Sequence, residues 1–430
     1  MVRNRRSYSV IAVSVLWTLL VAGCAGDAGG GSTTSSNGAG TPTTAAETPG
    51  TGEGVTIGAI VPLTGELAAV GEPTLEQFEW AVEMINATGL NPCGPISLSV
   101  HDQGDPEDAI RAATQLINDE NVVAIAGTTS DGTVAIAQLA KEERVVVFSP
   151  PGGTVTLDEL GGDYVYRAVP SDTAGGEVAA RWITDQGYQR PAYMILNEES
   201  PLSLGEVAID IVEAAGVPPV AEVIFNPGQP SYQGELSAIL DADPDVIFLS
   251  AGLESGSTVI REAVAAGYDG EWYLTSDMAV QDVIDAVGAD IMGESFYGAI
   301  PSPDESLEGY GRWRTLFDAE IGGPPGPYVT NSYDVMNVLA LAMTGPEGGC
   351  TGESINANMR AVTSGGTPVY SYEEGANLLL NGEDIDYEGA SGPLEFDETG
   401  TPPGSFSVLQ VQDGVWESVQ FYPAETFVEG

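Results

Sequence analysis

The chain has 430 residues, and its 63 acidic against 13 basic side chains give a formal net charge of −50 at pH 7. Binding to nucleic acid or to an anionic lipid surface requires basic side chains, so this charge excludes both as main partners. A hydrophobic fraction of 43% is ordinary for a folded protein, and the length suggests two lobes. Carboxylates in such excess repel one another until salt screens them. We therefore expect adaptation to strong salt; an acidic composition without such adaptation is the alternative.

The first 23 residues predict a signal peptide. Three arginines precede an apolar run from Val10 to Val21, which is too short to span a bilayer comfortably. Small residues then precede Cys24, and this pattern resembles the lipobox of bacterial lipoproteins. The resemblance implies cleavage before Cys24 and lipidation of its sulfur, after export by the general secretory route. An ordinary signal peptide with an incidental cysteine is the alternative.

Residues 24–54 predict a flexible tether, because they consist mainly of Gly, Ser, Thr, Ala and Pro and cannot bury a core. A lipid, a tether and a folded body together describe a protein held on the extracytoplasmic face of the cell membrane, in a periplasm or at the cell surface. Two further cysteines follow, Cys93 and Cys350. In an oxidising compartment a lone pair predicts a disulfide.

The body of the chain alternates apolar strands with amphipathic helices. Strands are predicted at residues 55–61, 96–100, 122–126, 145–148, 192–196, 221–225, 246–250 and 271–275. Because these strands do not alternate apolar and polar residues, we expect parallel sheets covered by helices on both faces. Ligands of such sheets bind beyond the carboxyl ends of the strands. The candidate site therefore lies around Ser130, 151–154 and 275–278.

Several motifs in this order resemble the leucine/isoleucine/valine-binding family, a branch of the type I periplasmic solute-binding proteins. They are IGAIVPLTG at 57–65, DQGDP at 102–106, AGTTS at 126–130, FSP at 148–150, GT at 153–154 and GPLEFD at 392–397. The resemblance covers roughly residues 55–420. No single motif is specific alone, and their order and spacing carry the resemblance.

The resemblance implies two discontinuous α/β lobes, each a parallel sheet flanked by helices, joined by three crossings of the chain. The crossings are expected near residues 168–172, 299–303 and 391–399. The first lobe would comprise 55–168 plus 303–391, and the second 169–302 plus 392–430. Cys93 and Cys350 both fall in the first lobe, which agrees with the predicted disulfide.

An amino acid is a zwitterion, so its burial requires donors for the carboxylate and an acidic group for the ammonium. The resemblance implies that Ser130, Gly152, Gly153 and Thr154 hold the carboxylate and that Asp277, from the other lobe, holds the ammonium. Free N–H groups at a helix start beside Ser130 suit an anion. The alternative for Ser130 and for Asp277 is a plain helix N-cap.

The family lines its pocket with aromatic rings, and this chain departs from that pattern. Tyr328 stands where a ring is expected, although a core tyrosine is the alternative. Val70 and Leu204 stand where the family has aromatic residues. Branched-chain specificity therefore does not follow, and another amino acid, a short amide or a carboxylated compound remains open.

Enzyme interpretations find little support in the sequence. His101 is the single histidine, and no nucleotide-binding motif follows a strand, so no catalytic, metal or cofactor site is predicted. The acidic pair Glu198-Glu199 is interpreted as solvated charge in a loop. We expect a monomeric, lipid-anchored solute-binding protein that delivers an amino acid or a similar small solute to the permease of an ABC importer. A ligand-sensing receptor module on the same fold is the alternative, and an enzyme is a more distant one.

Overall fold

The computed structural model describes residues 52–427, so the predicted signal peptide, the lipidation site Cys24 and nearly all of the tether lie outside the described residues. Within this range the strands are β1 (Val55–Val61), β2 (Ile96–Asp102), β3 (Ala124–Ala126), β4 (Val146–Ser149), β5 (Val165–Arg167), β6 (Pro191–Leu196), β7 (Ala221–Phe225), β8 (Val246–Ser250), β9 (Glu271–Leu274), β10 (Phe296–Pro301), β11 (Thr367–Val369), β12 (Ile385–Tyr387), β13 (Phe406–Gln412) and β14 (Val415–Tyr422). The predicted strands are thus confirmed to within about two residues at each end.

The same range contains α-helices between nearly all of these strands. They are α1 (Ala68–Thr88), α2 (Pro106–Glu120), α3 (Ser130–Glu143), α4 (Thr156–Leu160), α5 (Asp172–Gln186), α6 (Glu199–Ala214), α7 (Gln233–Leu240), α8 (Leu253–Ala265), α9 (Gln281–Val287), α10 (Glu308–Glu320), α11 (Val329–Thr344), α12 (Gly352–Asn358) and α13 (Tyr372–Leu380). Among the described helices, none combines the length and the apolar character that a membrane crossing requires.

The first lobe is built on a sheet of strand order β2-β1-β3-β4-β5, in which every pairing is parallel. Both faces of its central strands are buried, because α2 and α3 cover one face and α1 with α11 covers the other. Every residue of α11 is buried. Because α11 is buried on all sides, it forms the centre of this lobe, although it carries polar residues such as Asn331, Asp334 and Asn337.

The second lobe is built on a sheet of strand order β14-β13-β10-β9-β8-β6-β7. The pairings from β7 to β10 are parallel, as predicted, but β13 and β14 are antiparallel additions that the sequence interpretation missed. Asp413 and Gly414 join β13 to β14, and both have positive φ angles. An Asp-Gly pair of this kind is typical of a tight hairpin turn, so the signal was present in the sequence.

The chain passes between the two sheets at residues 168–171, 302–307 and 388–405, as far as residues 52–427 describe it. These segments connect β5 to α5, β10 to α10, and β12 to β13. The predicted lobe boundaries, 55–168 plus 303–391 and 169–302 plus 392–430, are kept as a proposal.

Cys93 and Cys350 lie side by side in the first lobe, with their Cα atoms 5.6 Å apart and their sulfurs within bonding distance. Cys93 is buried against the lobe's main core, and Cys350 packs against the same core. The two residues are separated by 257 positions in the sequence. This arrangement is compatible with the predicted disulfide, which we test below.

Side chains connect the loops that leave the carboxyl ends of the first lobe's strands. The Asp102 carboxylate accepts hydrogen bonds from the backbone N–H groups of Leu63 and Thr64, at 2.9 and 3.3 Å. Gln103 accepts a hydrogen bond from the N–H of Thr129 (2.8 Å) and donates one to its hydroxyl (2.6 Å). These bonds fix the position of the residue that follows, Ser130, at the edge of the sheet that faces the second lobe.

Candidate functional site

The predicted carboxylate-binding residues Ser130 and Thr154 lie together at this edge of the first lobe. The backbone N–H of Thr154 donates to the Ser130 hydroxyl oxygen at 3.4 Å. The helix α3 begins at Ser130 and its N-cap is Thr129, so the alternative interpretation of Ser130 as the N-cap is wrong by one residue. Both Ser130 and Thr154 are buried, and each already has a hydrogen-bond partner in the protein.

The two glycines of the predicted loop are less available than the sequence suggested. The Gly152 N–H donates to the hydroxyl of Ser149 at 2.9 Å, so it is not free for a ligand in this arrangement. The Gly153 carbonyl accepts from the backbone N–H of Asp172 at 2.7 Å and from the guanidinium of Arg167 at 2.8 Å. Gly153 therefore contributes its carbonyl to the local frame.

Asp277 follows β9 in the second lobe and is buried. The Ser200 hydroxyl donates to its Oδ2 atom at 3.1 Å. Burial, with the nearby charge of Asp131, raises the pKa of Asp277 to about 6, and the Ser200 hydrogen bond opposes this shift. The helix α9 begins at Gln281 after an N-cap at Val280, so the interpretation of Asp277 as a helix cap is wrong.

Tyr328 and Leu204 reach the same cavity from different lobes. Tyr328 immediately precedes α11 and packs against Val70 and Val169. Leu204 lies on the first turns of α6. Both side chains line the small cavity between the lobes. Burial raises the pKa of Tyr328 well above its ordinary value, with a further contribution from Asp277, so its hydroxyl stays protonated.

The structure adds Asp172, which sequence reasoning did not select. Asp172 is the first residue of α5, directly after the first crossing, and it is buried. Its Oδ2 atom has no hydrogen-bond partner among the described residues. Burial raises the pKa of Asp172 to about 7, and Ser203 and Arg167 offset only part of that shift. Its place next to a strand's carboxyl end was a signal that could have identified it.

The interpretation of Glu198 and Glu199 as solvated loop charge is wrong. Glu199 begins α6, and its Oε1 atom accepts hydrogen bonds from the hydroxyls of Thr154 (2.7 Å) and Thr156 (2.6 Å). Glu198 is half-buried, and burial together with the charge of Asp131 raises its pKa to about 7. An acidic pair after a buried strand is a signal for the cleft rather than for solvent.

Carboxylates of the first lobe cap two helices of the second lobe. Asp131 accepts from the N–H of Glu199 at 3.0 Å, at the start of α6. Glu66 accepts from the N–H groups of Glu254 and Ser255, both at 3.0 Å, at the start of α8. The unpaired N–H groups of a helix start and its dipole both favour an anion, so these contacts hold the lobes closed on each other.

The space between the lobes includes two cavities of different sizes, which share no lining residue. The inner cavity, lined by Asp172, Ser200, Leu204, Tyr273 and Tyr328 among others, has a volume of about 20 Å³, the space of roughly one water molecule. Of the predicted site residues, Gly153, Leu204 and Tyr328 line it, and Ser130, Gly152, Thr154 and Asp277 do not.

The outer cleft opens toward solvent and has a volume of about 480 Å³, within the range of small-molecule sites. Five carboxylates line it, those of Glu66, Asp105, Asp131, Glu198 and Glu199, and none of the described lining residues is basic. Within residues 52–427, the cleft included, no cluster of three or more His, Cys, Asp or Glu side chains could hold a metal ion.

The positive charge closest to the site, Arg167, is engaged within the protein. Its side chain is buried and donates to the carbonyls of Gly153 (2.8 Å) and Thr154 (2.9 Å), to the hydroxyl of Thr401 (2.8 Å), and to Asp158. Arg167 therefore braces the loop 153–154 against the third crossing. It leaves no donor aimed into the inner cavity.

A family model described as periplasmic binding protein matches residues 54–414, and the chain belongs to this family. It is a solute-binding protein of the type found in ABC transporters and receptors, and not an enzyme. Members of the family are extracytoplasmic or periplasmic proteins. The predicted resemblance and the predicted type I fold are confirmed.

Individual relatives are distant in sequence. The chemotactic signal transduction system substrate-binding protein BasB of Halobacterium salinarum is 25% identical over 393 residues, covering 88% of this chain and 92% of the relative. The leucine-binding protein LivK of Thermotoga maritima has a TM-score of 0.74 at 22% identity, covering 86% of this chain and 99% of that one. An ABC-transporter solute-binding protein of R. palustris, in complex with benzoate, has a TM-score of 0.71 at 17% identity, covering 86% and 97%. The two structures are similar to this chain in fold.

Proposed function

We propose that this protein captures an amino acid or a similar small polar or amide solute between its lobes and delivers it to the permease of an ABC importer. One observation carries the proposal: polar groups from both lobes meet at a single cleft. Gly153 and Tyr328 line the inner cavity from the first lobe, and Asp172 and Ser200 line it from the second. A site assembled from two lobes encloses its ligand when the lobes close.

The groups present match a solute with an amino or amide end and a short apolar part. Asp172 and Asp277 accept from N–H donors. Leu204, Tyr328 and Tyr273 supply the apolar wall. The inner cavity is too small for a solute in this closed state, so capture requires the lobes to separate and then close.

The proposal includes an anchor. Lipid on Cys24 and a tether over residues 24–54 would keep the binding lobes near the permease, on the extracytoplasmic face of the cell membrane. Labelling with a radioactive fatty acid tests this part. A Cys24→Ser chain should lose the label and move from the membrane fraction to the soluble fraction, whereas Cys93→Ser should keep it. Retention of label on the Cys24→Ser chain would refute the lipid anchor.

A binding screen tests the capture. The purified chain, in about 2 M NaCl, is titrated by calorimetry with a panel of amino acids, short amides and amines. We expect at least one panel member to bind and to raise the melting temperature. Leu204→Trp fills the inner cavity and should abolish that binding, whereas Leu316→Trp, at an exposed position of α10, should not. If no panel member binds and no small molecule co-purifies, capture of this solute class is refuted.

A second function is favoured by one relative, whose name assigns it to a chemotactic signal transduction system. On that reading the closed lobes report the solute to a signalling partner instead of a permease. Deletion of the gene separates the two functions. Loss of uptake of the bound solute supports the importer. Intact uptake with loss of taxis toward that solute supports the receptor.

A further inference from the structure

We propose that the solute of this cleft is a compact organic cation, carrying an ammonium or amidinium group and no carboxylate. The inference rests on the proposed function, since it assumes that the cleft between the lobes is the solute site. It concerns the charge of the ligand. In this cleft the groups that could bind an anion are occupied, whereas groups that could bind a cation are open.

The places where a ligand carboxylate would bind are filled by the protein's own carboxylates. Glu199 accepts the hydroxyls of Thr154 and Thr156. The Asp131 carboxylate caps the N-terminus of α6, and the Glu66 carboxylate caps that of α8. Glu199 thus binds the hydroxyl of Thr154, one of the residues expected to hold the carboxylate of an amino acid.

The groups that remain open are acceptors. The Oδ2 atom of Asp172 is buried without a partner among the described residues and belongs to a side chain that lines the inner cavity. Asp277 lies just behind the lining of that cavity and receives one side-chain hydrogen bond, from Ser200, which does line it. A buried carboxylate oxygen without a donor costs free energy, and an N–H group of a cationic ligand would remove that cost. Burial, with the nearby charges of Asp277 and Asp158, raises the pKa of Asp172 to about 7, although Ser203 and Arg167 oppose this shift.

The charged groups and aromatic rings around the site also favour a cationic ligand. The outer cleft is lined by carboxylates, which attract a cationic solute and repel an anionic group. Arg167 is engaged by carbonyls and by Asp158, so it leaves no positive charge for a ligand carboxylate. The rings of Tyr273 and Tyr328 line the inner cavity, and aromatic faces attract ammonium groups.

A zwitterionic amino acid would have to displace Glu199 from Thr154 and Thr156, or bury its own carboxylate beside several others. Each course leaves a buried negative charge without a donor, which is costly. An amine of the same shape avoids this cost. We therefore expect each amine to bind at least about tenfold more tightly than the amino acid from which it derives by loss of the carboxyl group.

Matched pairs of compounds test the inference by calorimetry on the full chain in strong salt. The pairs are alanine with ethylamine, leucine with isopentylamine, and arginine with agmatine, and isohexanoate serves as the carboxylate that lacks an amine. The expected order is amine, then amino acid, then carboxylate. An amino acid that binds more tightly than its amine overturns the cationic ligand and leaves the proposed capture function intact. No binding by any of these compounds overturns the cationic ligand, whereas the proposed capture function is overturned only if the full panel also fails to bind and no small molecule co-purifies.

Two variants sharpen the result. Glu199→Ala frees the hydroxyls of Thr154 and Thr156, so affinity for the amino acid should rise and the preference for the amine should narrow. Asp172→Asn should weaken amine binding at least about tenfold, whereas Glu206→Gln, on an exposed position of α6, should leave it unchanged. Asp277→Asn provides a second test should Asp172→Asn fail to fold. Unchanged amine affinity in a folded Asp172→Asn or Asp277→Asn chain would refute the assigned contacts.

Discussion

Two regions of this molecule each bury an aspartate. In one region the protein supplies several hydrogen-bond donors to the carboxylate, and in the other it leaves one carboxylate oxygen without a donor. In the core of the first lobe, Asp334 accepts from the Tyr387 hydroxyl (2.8 Å), from the N–H groups of Ala390 (2.9 Å) and Ser391 (2.7 Å), and from the Ser391 hydroxyl (2.6 Å). In the cleft, Oδ2 of Asp172 has no such donor among the described residues. The first arrangement fastens the third crossing to α11. The second leaves an acceptor for a ligand.

Burial alone does not distinguish the structural aspartate, Asp334, from Asp172, the aspartate assigned to ligand binding. Burial raises the pKa of Asp334 to about 6 and that of Asp172 to about 7. Hydrogen bonds from Ser391, Ala390 and Tyr387 oppose the shift at Asp334, whereas Asp172 has fewer such donors. What distinguishes the two sites is therefore the number of donors supplied by the protein.

The largest effect is expected from Asp334→Ala, which leaves several buried donors without an acceptor. The free energy of unfolding should fall by about 3–5 kcal/mol, as measured by urea denaturation. Asp210→Ala, at an exposed position of α6, serves as the control and should change it by less than about 0.5 kcal/mol. A loss no larger than the control's would contradict the structural role of Asp334.

The predicted Cys93–Cys350 disulfide would stabilise the same lobe by constraining the unfolded chain. Its removal in a Cys93→Ser/Cys350→Ser chain should lower the free energy of unfolding by about 2–4 kcal/mol, measured in the same denaturation experiment. Alkylation of the denatured, unreduced wild-type chain followed by mass spectrometry should label neither residue. Labelling of both would show that the disulfide does not form.

At Asp172 the change in the free energy of unfolding should have the opposite sign. Replacing this carboxylate by a neutral amide in Asp172→Asn should raise the free energy of unfolding of the ligand-free protein by about 1 kcal/mol near pH 8. The same variant loses ligand affinity, so stability and binding change in opposite directions. Destabilisation comparable to that of Asp334→Ala would mean that both aspartates are structural.

The pH dependence of stability follows from the raised pKa values of Asp172 and Glu198 (about 7) and of Asp277 and Asp334 (about 6). A carboxyl group whose folded pKa exceeds its unfolded value binds more protons in the folded state. Its stabilising contribution is present below the unfolded pKa and is lost as pH rises through the folded pKa. The ligand-free protein should thus lose about 1–3 kcal/mol of stability between pH 5 and 8. A flat profile would contradict these pKa shifts.

Of the changes considered, the salt concentration is expected to have the smallest effect on the stability of the protein. With a net charge of −50, surface repulsion should weaken as the Debye length shrinks from about 10 Å at 0.1 M to about 3 Å at 1 M salt. The melting temperature should rise by several degrees between these concentrations of NaCl, and an uncharged osmolyte of equal osmolarity should reproduce less of this rise. An unchanged melting temperature would favour the alternative of an acidic composition without salt adaptation.

Most of the parallel framework followed from local patterns. The strand predictions at β1, β7 and β8 coincide with the structure, because short runs of strand-forming residues with glycine and proline nearby leave few alternatives. The hairpin β13–β14 was missed although its Asp-Gly turn was visible. The short strand β5, three residues long, was also missed, since so brief a run carries almost no periodic signal.

The position of the candidate site could be predicted from the sequence, but the chemical groups that line it could be predicted only in part. Gly153, Leu204 and Tyr328 do line the inner cavity, because their places at strand and helix ends are fixed by the fold. Whether each of the predicted residues binds a solute remains a proposal. Glu199 and Asp172 were not selected, although each follows the carboxyl end of a strand. That position places a residue at the edge of the sheet, but it does not tell whether the carboxylate faces the other lobe or water.

The sequence by itself determined the alternation of strands and helices, the acidic surface and the ends of strands at which a ligand could bind, because these properties depend on neighbouring residues. The tertiary structure decided which carboxylates are satisfied and which are open. Glu199 meets Thr154 only when two lobes close, and Asp172 lacks a donor only because of what packs around it. Such pairings depend on residues distant in sequence, and their electrostatic effect depends on exclusion of water.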